Sequence, residues 1–195
     1  MKKGDRGFTL IELLVVMAII GILAVVAVPA LFRNINKAKI ADVESDYNAI
    51  KSSVLEYYYE HGEIPYKIGD QSFFDKYIDN VSKDSPLGGS YHVVPSWFRD
   101  VTDKKLKYYT FYGYTIDKDG KINNKRTEIS KKYKVTLALR PQSWNNNVPV
   151  GLPKITKAQF EKLAKDIGYD KVFIGNPKFP KEGSEIFIGL IPESN

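Results

Sequence analysis

Gly7-Phe8-Thr9-Leu10-Ile11-Glu12-Leu13-Leu14-Val15-Val16 opens the stretch that decides the fold, and after Glu12 it runs on without a charge to Phe32. From Leu13 to Phe32 there are twenty consecutive residues with no polar or charged side chain. About 20 apolar residues are enough to cross a bilayer as a helix. A short basic leader (Lys2, Lys3, Arg6) precedes the run, and one carboxylate, Glu12, stands just inside its apolar edge. A secretory signal peptide has a shorter apolar region, about 7–15 residues, followed by a small-residue cleavage site. Here the run is too long and flows into a helical pattern. A plain membrane anchor accounts for the length but not for Glu12, because an ionisable side chain at membrane depth is costly and asks for a partner. Arg33, Lys37 and Lys39 follow the span as the leader cations precede it, so charge counting leaves orientation weakly determined.

Working outward, the pattern changes after Phe32 but the helix does not end. Ile40, Val43, Tyr47, Ile50, Val54 and Tyr57 recur at spacings of three and four, which is one apolar stripe on a helix. Lys39, Asp42, Glu44, Asp46, Lys51 and Glu56 fill the other faces. Gly62 and Pro65 predict an end at His61. A helix over 8–61 would be about 81 Å long if straight. Gly21 and Pro29 lie inside its first half, where glycine weakens a helix and proline removes a backbone hydrogen bond.

The chain has 195 residues, 43% of them hydrophobic. Setting the N-terminal segment aside leaves about 160 residues, enough for one domain with its own core. There is no cysteine, which excludes disulfides, zinc-thiolate sites and thiol catalysis. The net charge is +6, and +4 once the leader is removed, too mild to imply a nucleic-acid partner by itself. A connecting loop is expected over 63–90, with a short helix at Ser72–Asn80. A Pro-Gly turn at Ser85–Ser90 then leads into a strand at Tyr91–Val94. Leu106–Ile116 reads as an aromatic-rich strand, Asp117-Lys118-Asp119-Gly120 as a turn, and a second strand starts at Lys121. Tyr133–Leu139 alternates as a strand, and Gln142–Pro153 reads as a polar loop. Thr156 and Gln159 form a capping box for a helix over Lys157–Ile167 that buries Phe160, Leu163, Ala164 and Ile167. Lys171–Ile174 and Glu185–Ile191 are the last strands. The expected class is α+β: a long helix, apolar in its first half and amphipathic in its second, packed on an antiparallel sheet with an extra C-terminal helix.

Gly7 at the end of a basic leader, then Phe8-Thr9-Leu10-Ile11-Glu12 and the apolar run, resembles the class III signal sequence of type IV pilins and pseudopilins. Val28-Pro29-Ala30-Leu31-Phe32 through Ser45-Asp46-Tyr47 resembles Gram-positive pilins of clostridial type. The resemblance implies three segments: a leader over 1–7, a transmembrane and filament-core helix over 8–32, and a head domain over 33–195. It implies that a prepilin peptidase cuts between Gly7 and Phe8 and methylates the new amine. Glu12 would pair with that amine on a neighbouring subunit, fixing register, and Gly21 and Pro29 would let the helix bend or locally melt when subunits pack. The implied partners are further copies in a helical filament, other pilins, the peptidase, an assembly ATPase and a platform protein. The chain would sit first in the cytoplasmic membrane, N-terminus in the cytoplasm, and then at the cell surface. The fibre would serve adhesion, motility, biofilm formation or DNA uptake. A type II secretion pseudopilin, or an anchored surface binding protein that never polymerises, are the alternatives.

Arg99–Lys134 holds eleven Lys/Arg against five Asp/Glu. Lys104, Lys105, Lys107, Lys121, Lys125 and Arg126 are the candidate polyanion-binding residues, for DNA or acidic polysaccharide. A charge run is more often a solvated face that blunts an exposed edge. Tyr108, Tyr109, Tyr112 and Tyr114 can make a sugar-binding surface, although such residues more often pack across strands. Two histidines, His61 and His92, have no nucleophile or metal-ligand partner at a recognisable spacing, and no phosphate loop is present. No catalytic site, metal or cofactor is expected.

Overall fold

The computed structural model describes residues 8–62, 76–78, 80–99, 106–108, 110–145, 148–179 and 183–193. The chain divides into two compact units, Met1–Ala38 and Lys39–Asn195. One helix, α1 (Leu10–His61), contributes to both. It ends where the glycine signal puts it. Gly62 has φ 68°, and its N–H donates to the Tyr58 carbonyl at 2.9 Å, a left-handed cap that glycine reaches without a Cβ penalty.

In the first unit the side chains of α1 have no apolar cover. The large hydrophobic residues from Leu10 to Ile35 are exposed, and the most apolar 18-residue window, of mean hydropathy 3.0, has none of its residues buried.

The second unit is built on the stripe. Ile40, Val43, Tyr47, Ile50 and Val54 are buried, the three-and-four spacing placing them on one face. They meet a four-stranded antiparallel sheet of β1 (Ser90–Pro95), β6 (Tyr133–Arg140), β10 (Ile186–Pro192) and β9 (Val172–Ile174), in the order β1-β6-β10-β9. Leu137 of β6 stands opposite Val93 on one side and Ile188 on the other. Alternation splits β6 between two layers. Val135, Leu137 and Leu139 join the cluster that contains the α1 stripe. Ala138 belongs to a smaller cluster with Val94, Phe173, Phe187 and Ile129, against which Phe111 packs. The second helix, α2 (Lys157–Ile167), adds Phe160, Leu163 and Ala164 to the larger core, and Ile167 packs at its margin. Its start is a capping box: Thr156 Oγ1 accepts the Gln159 N–H, and Gln159 Oε1 accepts the Thr156 N–H.

Polar ties fix α1 on the sheet. Tyr47 Oη donates to the Gly189 carbonyl at 3.2 Å, and Tyr91 Oη donates to Asp46 Oδ2 at 2.8 Å. Burial raises the pKa of the Tyr91 hydroxyl well above the usual range. The register of β10 shifts next to Gly189, and a Cβ there would run into the Tyr133 ring. Between α1 and α2 the Glu44 carboxyl faces that of Asp166. Burial first, and then this neighbour, pushes Glu44 up to about 7. Asp166 is also ion-paired to Lys162.

The long strand expected over Leu106–Ile116 is broken into pieces with different partners. β3 (Leu106–Tyr108) pairs with β2 (Trp97–Arg99), and β4 (Tyr112–Gly113) pairs with β5 (Thr127–Glu128). Tyr114 bridges to Ile174 at the sheet edge, and Ile116 bridges to Ile122. A continuous strand needs one continuous partner, and this segment changes partner three times. The strand expected from Lys121 reduces to the bridge at Ile122 and the pair at β5. The polar loop over Gln142–Pro153 contains a hairpin, β7 (Ser143–Asn145) with β8 (Val148–Val150). The β-branched Val148 and Val150 carry the strand signal there, and Pro149 is tolerated because the ribbon has only one partner. Of the short helix expected at Ser72–Asn80, Lys76 and Tyr77 are helical and Ile78 is buried; 72–75 and 79 lie outside the described residues.

Two outcomes follow from this packing. Thr136 Oγ1 is fully buried with no hydrogen-bond partner among the described residues, so Thr136→Val should stabilise the chain by about 1 kcal/mol, read as a higher midpoint of chemical denaturation. The folded state holds the Glu44 proton that the unfolded chain releases near 4.5. Its contribution is therefore complete below about pH 4.5 and is lost as pH rises to about 7. Glu44→Gln should flatten that decline and leave the variant more stable at pH 8, on the order of 2 kcal/mol, measured by denaturation across pH 4–8.

Candidate functional site

The N-terminal turn of α1 is built by its first polar residues. Thr9 N–H donates to Glu12 Oε2 at 2.8 Å, and Thr9 Oγ1 donates to the same oxygen at 2.7 Å. In return Glu12 N–H donates to Thr9 Oγ1 at 3.3 Å. This is a reciprocal capping box, in which two backbone donors that the helix cannot satisfy internally are satisfied by side chains. The negative carboxylate also lies at the positive end of the helix dipole. The Thr9 bonds fall on Oε2, which leaves Oε1 of Glu12 for a further partner.

The sequence reading singled out Glu12 and passed over Thr9. The signal was present: a threonine three residues before a glutamate, opening an apolar run, is the capping-box spacing. The carboxylate that seemed to lack a partner has one within its own chain. Phe8, which precedes the cap, is 90% exposed. Gly7 lies outside the described residues. α1 runs unbroken through Gly21 and Pro29, and Gly21 has open space around it.

The basic candidates are only partly brought together. Lys121, Lys125 and Arg126 are exposed and lie on one loop between β4 and β5. That loop is shaped by Asp117, whose Oδ1 accepts the N–H groups of Asp119 and Lys121 at 3.0 and 2.8 Å. The Arg126 guanidinium lies over the Tyr112 ring, 5.1 Å from its centre. Lys107 is on β3, paired with Phe98 of β2. Lys104 and Lys105 lie outside the described residues. The tyrosines divide in the same way. Tyr114 packs against the main core and Tyr112 is 39% exposed. Tyr109 lies outside the described residues.

No group of three or more His, Asp or Glu residues that could hold a metal ion occurs among the described residues. His92 on β1 has its pKa lowered by burial first, and then by Arg140 and Lys83.

Residues 2–28 match the family model of the prokaryotic N-terminal methylation motif, and residues 34–105 match that of PilW, C-terminal. A fimbrial protein of Neisseria meningitidis serogroup B is 48% identical over 65 residues, covering 33% of this chain and 38% of that relative. The chain thus matches well under half the length of such relatives. The type II secretion system core protein G of Klebsiella michiganensis is 34% identical over 108 residues, covering 48% of this chain and 75% of that protein. Among solved structures, the major type IV pilin PilA1 of Clostridium difficile is 24% identical with a TM-score of 0.48, covering 81% of this chain and 98% of that one.

The cap is directly testable. Thr9→Ala should cost the helix start about 1 kcal/mol. Amide exchange of residues 10–13, measured by NMR in detergent micelles, should quicken about fivefold, whereas Thr9→Ser should keep the native rates.

Proposed function

Because the chain belongs to the type IV pilin and pseudopilin family, we propose that it is a structural subunit of a type IV pilus rather than an enzyme. The observation that carries this reading is the exposed apolar surface of α1 from Leu10 to Ile35, opened by the Thr9–Glu12 cap. Such a surface requires either lipid or other apolar helices around it. A fimbrial protein relative that is 48% identical over 65 residues supports the same reading.

In the proposed sequence of events, the segment over 8–32 first anchors the chain in the cytoplasmic membrane, N-terminus inside. Prepilin peptidase removes 1–7 and methylates the Phe8 amine. The new amine is a cation, and Glu12 Oε1 is the acceptor for the amine of a neighbouring copy. A carboxylate and an ammonium facing each other in an apolar bundle strongly favour one register, since leaving either unpaired is costly. Gly21 and Pro29 allow local bending as helices pack. Moving these helices from lipid into a bundle gains little hydrophobic energy, because lipid tails are already apolar. Assembly therefore draws on an external source, an assembly ATPase acting through a membrane platform protein. The head over 33–195 forms the solvent-facing surface of a fibre used in adhesion, motility, biofilm formation or DNA uptake.

A second reading, a type II secretion pseudopilin, is favoured by one observation: the secretion core protein G relative is covered over 75% of its length. Electron microscopy of material sheared from cells, with labelled antibody, separates long surface fibres from a short periplasm-spanning or membrane-proximal assembly. Mass spectrometry of that material should show a chain beginning at N-methyl-Phe8.

Two Glu12 variants separate capping from pairing. Glu12→Gln can still cap Thr9 but carries no charge, whereas Glu12→Ala does neither. Both should insert in the membrane, and both should lower fibre yield by about tenfold or more, as expected when a buried ion pair loses one partner. Normal fibres from Glu12→Gln would eliminate the pairing step.

A further inference from the structure

A cavity of about 300 Å³ opens on the head at the meeting point of three segments: β4 with the loop before β5, the β7–β8 hairpin, and the β9–β10 connection. We propose that it is a binding site for a carboxylate-bearing saccharide, a sugar of the uronic-acid type. The proposal concerns the second compact unit alone and stands whether or not the chain polymerises.

Four side chains define the chemistry. Tyr112 offers an exposed ring, and Arg126 lies over it with no ion pair among the described residues. A guanidinium only donates, so it requires an acceptor, and its planar fork matches a carboxylate. Glu185 lies elsewhere in the lining. Its Oε1 accepts from Arg140 Nε at 3.0 Å, leaving Oε2 as a second acceptor. Asn176 Oδ1 accepts the Lys178 N–H at 3.1 Å, which orients the side chain and leaves its amide NH2 as a donor. Pro141 and Pro149 supply flat apolar wall between these polar groups.

The ligand must therefore present an anionic acceptor to Arg126, O–H or N–H donors to Glu185, an acceptor to Asn176, and an apolar face to the Tyr and Pro surfaces. Phosphate and polyphosphate bring the anion but no apolar face for the Tyr and Pro surfaces, and their higher charge would meet the Glu185 carboxylate unfavourably. A neutral sugar brings hydroxyls and a C–H face but leaves Arg126 unanswered. A uronic acid has all four features on one ring, and the volume, at the lower end for small-molecule sites, admits roughly one or two rings. The aromatic and basic stretches of the sequence converge here through Tyr112 and Arg126, which fourteen positions separate in the chain. The pairing of β4 with β5, Tyr112 opposite Glu128, brings them together.

The test is titration of the full chain in detergent micelles, followed by saturation-transfer NMR and calorimetry. The probes are digalacturonic acid, neutral galactobiose, inorganic phosphate and a short Asp-containing peptide. Digalacturonic acid should bind saturably and about tenfold or more tighter than galactobiose. Arg126→Gln and Tyr112→Leu should each weaken it about tenfold. Lys125→Gln, which removes a neighbouring cation that does not line the cavity, should change it less than about twofold. Absence of saturable binding overturns the proposal. So does equal loss in Lys125→Gln, which would mean general charge attraction, or equal affinity for phosphate or for the peptide, which would make the site one for anions or acidic peptides.

Discussion

A helix surface as apolar as that from Leu10 to Ile35 has to be covered, by lipid or by other copies of itself. Water is not an option: at about 25 cal/mol per Å² of apolar surface, each large side chain left exposed costs roughly 1.5–3 kcal/mol relative to burial. The remaining architecture follows from how the chain divides this demand. Further along the same helix, Ile40 to Val54 are covered internally by the sheet and α2. One element thus carries two apolar surfaces, one satisfied within the chain and one left for an outside environment.

The Thr9–Glu12 box matters because it lies at the start of that uncovered surface. Backbone donors at a helix terminus are costly in a medium without water. The box satisfies two of them within the chain and holds the carboxylate at a fixed place on the helix end. Oε2 is occupied by Thr9, and Oε1 is free for the proposed pairing between subunits. Threonine and glutamate then read as one device that caps the helix and fixes its carboxylate within four residues.

The body distributes its polar ties differently. Tyr47 and Tyr91 fasten the helix to the sheet through one hydrogen bond each, while the carboxyls of Glu44 and Asp166 meet between the two helices. The arms that emerge from the sheet edge, over 110–131 and 141–153, pair mostly within themselves, with Tyr114 tied to Ile174 and Pro153 to Ser184. The strands over 110–131 are short because that stretch changes partner after two or three residues. Such arms can hold side chains from distant parts of the chain around one cavity without disturbing the core.

Much of this was legible in the sequence. The apolar run, the stripe from Ile40 to Val54, the end of α1 at Gly62, the Thr156–Gln159 cap and the strands over 133–139 and 186–191 depend on local periodicity, and local periodicity survives folding. The Thr9–Glu12 box was equally local and was overlooked only because Glu12 was weighed as a charge rather than as a cap. Tertiary structure alone decided the partner changes along 106–128, the hairpin over 143–150, the Glu44–Asp166 contact and the cavity at Tyr112 and Arg126. Strand pairing and side-chain juxtaposition depend on residues far apart in the chain, and no spacing within a short window encodes which of them will meet.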